Sequence, residues 1–139
     1  MGRRRQAREF ALQALYLAES GGMSVQQAMI IVSAGHALDK ETLVFAKALA
    51  VGAHELRDEL DKRIAKTAKN WALERMAAVD RNLLRLASYE LMHCPDTPAS
   101  VVIDEALEIA KVFAARESGG FINGILDKIR KSARKGKKP

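Results

Sequence analysis

No window of this chain alternates apolar and polar residues as a half-buried strand would, whereas long stretches repeat apolar residues at i, i+3, i+4 and i+7. Its only three prolines lie at 95, 98 and 139, so most of the chain holds no residue that forbids a helix. Ala, Leu, Arg and Lys dominate, all strong helix formers, while aromatics make up only 5%. At 139 residues, one domain with a core of its own is expected. The fold class that follows is all-α.

The first helix is read from RRRQAREFALQALYLAES. At 100° per residue, Ala7, Phe10, Ala11, Ala14, Leu15, Leu17 and Ala18 share one arc, the expected core face. The opposite arc carries Arg5, Gln6, Arg8, Glu9, Leu12, Gln13 and Tyr16, with Arg5, Glu9, Leu12 and Tyr16 on one ridge. Gly21 and Gly22 break the pattern. Ser24 with Gln27 then forms a capping box for a short helix through about Ser33, which Gly35 ends. A third helical region opens at Asp39 and Lys40 and extends to about Lys69. That is long for one globular helix, so a bend is expected near residues 52–54. Residues 70–78 read as a short helical turn carrying the sole tryptophan.

The second half is more sharply punctuated. A helix over about 80–93 puts Val79, Leu83, Leu84, Leu86, Ala87 and Leu91 on one side, and Pro95 stops it. Thr97 as N-cap and Pro98 at the first helical position restart the chain. The helix over about 98–115 buries Val102, Ile103, Ala106, Leu107, Ala110 and Phe113. Ser118 caps a last helix built on Ile122, Ile125, Leu126 and Ile129. Glu90 projects among Val79, Leu83 and Leu86, so it needs a donor such as an arginine or helix N–H groups, and is structural. Gly124, inside the last helix, predicts close approach by a neighbour's backbone.

Charge is gathered at the ends. Residues 1–10 carry +3, residues 127–139 carry +6, and the body between them is left at −3. Confined cations suit a phosphate backbone, because each contact releases a condensed counterion. Arg3, Arg4, Arg5 and Arg8 run into a helix that shows Tyr16 on the same side. Arginine with an exposed ring is the chemistry of single-stranded RNA binding. A solvated charge run beside a surface tyrosine fits the same residues, as does a helical DNA-binding module. Beyond Ser132 the basic tail, residues 133–139, reads as disordered.

Other chemistry finds no support in the residue pattern. No phosphate-loop, dinucleotide-binding or nucleophile-elbow motif occurs. His93 and Cys94 lack the spaced partners of a metal site, and Cys94 lacks a placed base. Neither a cofactor nor a metal is expected. The lone cysteine suits a reducing cytoplasm, and no stretch is apolar for long enough to span a membrane.

Three segments carry a family resemblance: RRRQAREFALQALY (residues 3–16), VDRNLLRLASYEL (79–91) and VVIDEALEIAKVFAARESGGFINGILDKI (101–129). In this order they resemble the NusB family of bacterial transcription antitermination proteins. The resemblance implies about seven helices in two small subdomains, about 1–75 and 76–132. It implies binding of the boxA element of nascent RNA together with NusE, a ribosomal protein, within an RNA polymerase antitermination complex on ribosomal RNA operons. No catalysis is implied. Carried over by position, the RNA-contacting residues are Arg3, Arg4, Arg5, Arg8, Tyr16, Asp80, Glu117 and Phe121, with Lys128 on the Phe121 ridge. Gln6 interrupts the arginine run, and Gly119 and Gly120 stand where a polar or basic residue often precedes the phenylalanine. Val101, Glu105, Glu108 and Val112 form an outer ridge suited to a basic partner, the expected NusE surface. The resemblance leaves monomer and homodimer both open. An enzymatic alternative is the NusB-like domain of certain ribosomal RNA cytosine methyltransferases, against which the short length argues.

Overall fold

The computed structural model describes residues 2–69 and 71–134. Among them are seven α-helices and no strand: α1 (Arg3–Gly21), α2 (Val25–Ser33), α3 (Lys40–Glu55), α4 (Arg57–Thr67), α5 (Ala78–His93), α6 (Ala99–Phe113) and α7 (Ser118–Ala133). A 3-10 turn, Leu73–Arg75, joins α4 to α5.

Local chemistry sets most of these limits. Gly22, at φ 64°, ends α1 in the left-handed conformation that glycine adopts without strain. At α2, the Gln27 N–H donates to Ser24 Oγ at 3.0 Å and the Ser24 N–H returns to Gln27 Oε1 at 3.4 Å, the expected capping box. Asp39 caps α3 by accepting from the Thr42 N–H at 2.7 Å. The long helical region does break, but at Leu56 and not at residues 52–54. Gly52 lies inside α3, with the Tyr89 ring against it. A Cβ there would fall 2.3 Å from the phenol carbon and oxygen.

Three end assignments shift. The N-cap of α6 is Pro98, one residue beyond Thr97. The N-cap of α7 is Glu117, without a side-chain bond, and Ser118 spends its hydroxyl on Asp80 instead. Helix α7 continues through Ala133, and Arg134, expected in a disordered tail, is held in the fold. Its guanidinium donates to the carbonyl oxygens of Leu91 at 2.8 Å and Thr97 at 3.1 Å, closing the C-terminal end of α5. Residues 135–139 lie outside the described residues.

The core gathers around α1, which packs on α2 and α3 along one side and on α5 and α6 along another. That double packing corrects the single-arc view of α1. Leu12 and Arg8, assigned to its outer face, are buried, while Leu17, assigned to the core, is half-buried. Helix α4 packs on α5 and α7 as well as α3. In α6, Val102, Ile103, Ala106 and Ala110 are buried as expected, with Leu107 and Phe113 half-buried against the core.

Candidate nucleic-acid interface

The arginines of α1 each meet a partner from another helix or the loop before one. Arg3 pairs with Asp39 at 3.0 Å, and Arg4 lies over the Phe45 ring at 3.9 Å, a cation–π distance. Arg5 donates through Nε and Nη2 to both oxygens of Glu105, at 2.7 and 2.8 Å. Arg8 forms the same fork with Glu90, at 2.7 and 2.9 Å, and both side chains are sealed from water. Arg3, Arg4 and Arg5 therefore reach the surface; Arg8 does not. Its guanidinium satisfies the buried carboxylate that the sequence required to find a donor, and this removes it from the expected phosphate contacts. Tyr16 is exposed, eleven residues along the Arg5 ridge, or roughly 16 Å up the axis.

The acid and aromatic positions converge elsewhere. Asp80 in the first turn of α5, with Glu117 and Phe121 at the start of α7, lines one cleft of about 250 Å³. Ser118 joins them, its hydroxyl donating to Asp80 Oδ2 at 2.9 Å, while Asp80 Oδ1 is shut from solvent without a hydrogen-bond partner. Trp71 and Arg75 complete the walls. The Trp71 ring is 52% exposed and meets Phe121 at 5.9 Å between centroids, with the planes at 71°. Sequence reasoning passed over both residues. The available signal was a single large ring in a segment too short and polar to bury it.

A neighbouring cleft between α6 and α7 is lined by Lys111, Arg116, Gly119, Gly120 and Asn123. Open space surrounds Gly119 and Gly120, so neither is there for close packing. The same holds for Gly124, which corrects the expected backbone approach. Lys128 is exposed farther along α7. On α6, Val101 and Val112 are exposed as the outer ridge requires. Its two acids are not bare, however. The Arg5 fork holds Glu105 below the usual carboxylate range, and Lys111, at 2.9 Å, does the same for Glu108.

No group of three His, Cys, Asp or Glu side chains suited to a metal ion occurs among the described residues. None of the described helices is long and apolar enough to cross a membrane.

Four of the other six described helices pack on α1, and Arg3, Arg4 and Arg5 are held at its surface by defined contacts, in a protein that is all-α. The NusB family model matches residues 5–131. The transcription antitermination protein NusB of Desulfatibacillum aliphaticivorans is 45% identical over 129 residues, 93% of this chain and 90% of that one. NusB of T. maritima superimposes with a TM-score of 0.86 at 37% identity, covering 94% of this chain and 92% of that structure. A crystal structure of antitermination factors NusB and NusE in complex with double-stranded RNA matches with a TM-score of 0.87 at 28% identity, covering 95% and 98%. The chain belongs to the NusB family, whose members at this similarity are named as transcription antitermination proteins, regulatory and not enzymatic.

Proposed function

We propose that this antitermination factor binds boxA-type single-stranded RNA together with NusE, within the polymerase antitermination complex on ribosomal RNA operons in the cytoplasm. The carrying observation is the convergence of Asp80, Glu117 and Phe121 in one cleft, brought together from two helices 37 residues apart at their nearest members. Carboxylates accept from base edges and rings stack on unpaired bases, which gives sequence choice that phosphate contacts cannot supply. Arg3, Arg4, Arg5 and Lys128 supply the phosphate contacts, and Tyr16 a second ring. NusE docks on α6 along Val101, Glu105, Glu108 and Val112, where exposed valines bracket the acids.

The test is a titration of boxA RNA, with and without NusE, against duplex RNA of the same sequence at fixed salt. Tighter binding of the single strand, strengthened by NusE, is the expected result. Equal affinity for both forms would refute the single-strand assignment. Calorimetry of the Glu105→Lys, Glu108→Lys double variant with NusE alone tests the docking face, which is lost as an assignment if affinity is unchanged.

A further inference from the structure

Burying a tryptophan ring is among the largest contributions a side chain can make to a core, yet Trp71 stands 52% exposed. Its contact with Phe121 is edge-on, at 71° between planes, and perpendicular rings cannot both cover a face in one contact. Phe121, the half-buried member, packs against the core. Beside them Arg75 is exposed, with no ion pair among the described residues. Asp80 is 9% exposed, and its Oδ1 has no hydrogen-bond partner although Ser118 satisfies Oδ2. An orphaned buried acceptor is a standing cost, which an incoming N–H donor removes once the carboxylate turns that oxygen toward the cleft it lines.

We propose that Trp71 adds a stacking platform to this cleft beside the Phe121 ring, which also braces it from the side, and that the seated base carries an amino group directed at Asp80. The proposal rests on the RNA-binding reading above and adds to it the residue that grips and the kind of base gripped. Adenine, cytosine and guanine each present an exocyclic amine that a carboxylate accepts from. Uracil's one donor lies between two carbonyl oxygens, which a carboxylate repels. Arg75, at the rim, meets the phosphate of the same nucleotide. The cleft, at about 250 Å³, suits one flat ring and falls below the size of sites for larger ligands.

Because Trp71 is the chain's sole tryptophan, its fluorescence reports on this cleft alone. Labelled oligo(A), oligo(C) and oligo(U) ribonucleotides are titrated at fixed salt, reading anisotropy for binding and tryptophan emission for occupancy. Oligo(A) and oligo(C) are expected to bind more tightly than oligo(U) and to quench the emission. Trp71→Ala should weaken oligo(A) binding by about tenfold, and Trp71→Phe should recover most of that loss. An exposed side chain can be truncated without loss of fold, which the melting curve verifies. Phe121→Leu keeps an apolar brace, so it should reduce quenching more than affinity. Asp80→Asn replaces one acceptor by a donor and should abolish the preference over oligo(U). RNA that raises anisotropy while leaving emission unmoved, with Trp71→Ala binding as the parent does, overturns the platform and leaves the RNA-binding reading standing. No rise in anisotropy with any of these RNAs, nor with boxA RNA, overturns both.

Discussion

Arg8 and Glu90 show how one pair of side chains can be misassigned from sequence while its chemistry is foreseen. A carboxylate set among Val79, Leu83 and Leu86 must find a donor, because an unpaired buried charge is far costlier than a paired one. That requirement is visible in the spacing of α5. Its solution is not, since the donor arrives from 82 residues away, out of a run of arginines that reads as a single surface arm. Arg3, Arg4 and Arg5 keep the surface role, and Arg8 becomes part of the core. Arg8→Ala should therefore destabilise the fold by about 3–5 kcal/mol, measured as a fall in the urea midpoint. The pair Arg8→Met with Glu90→Leu removes both charges and should recover most of that loss. If Arg8→Ala melts like the parent, Glu90 has another donor and the assignment of Arg8 to the core fails.

At the scale of elements, glycines separate what the sequence discloses from what packing decides. The helical period and the caps at Ser24 and Asp39 follow from neighbouring residues, so most of the helix positions are legible within a residue or two. The break between α3 and α4 is harder. Gly52 looks like the weak point, yet it is kept for the Tyr89 ring, which arrives from a helix much later in the chain, and the turn falls at Leu56. Gly124 errs in the other direction, reading as a packing residue while facing open space. Gly52→Ala should thus cost about 1–3 kcal/mol through overpacking, whereas Gly124→Ala should stabilise by up to about 1 kcal/mol from helix propensity. Thermal melts of the two variants should move in opposite directions. The proposed interface divides in the same way. Asp80, Glu117 and Phe121 are legible by their position in the family pattern, but Trp71 and Arg75 come from the segment joining α4 to α5, where no periodicity marks a residue's neighbours.

Across the whole molecule, ion pairs tie distant helices together and make the assembly sensitive to conditions. Glu19, near the end of α1, receives N–H donors from Arg81, Arg85 and Asn82, and Arg85 also forks onto Asp61 of α4. Burial alone would raise the Glu19 pKa, but these donors hold it down to about 2, against an ordinary 4.5. The unfolded chain then takes up the proton first, so this contribution is complete above pH 4.5 and is lost as pH falls toward 2. Glu19→Gln should flatten the decline in urea midpoint over that interval; an unchanged slope would show that other carboxylates govern it. The Arg5–Glu105 fork links the proposed RNA face to the proposed NusE face directly. A phosphate that engages Arg5 must compete with the Glu105 carboxylate, so part of the attraction is already spent inside the fold. Glu105→Gln, which keeps the side-chain shape and removes the charge, should tighten RNA binding by the chain alone. It should also steepen the dependence of log K on log salt by ~0.7, the increment for one more phosphate neutralised on a single strand. Glu108→Gln, whose partner is Lys111, should change neither. A basic protein seated on α6 would draw Glu105 away from Arg5 and produce the same tightening in the unmodified chain. Binding linkage makes that coupling reciprocal, so RNA must tighten NusE by the same factor, and the Glu105→Gln variant should lose both halves of it.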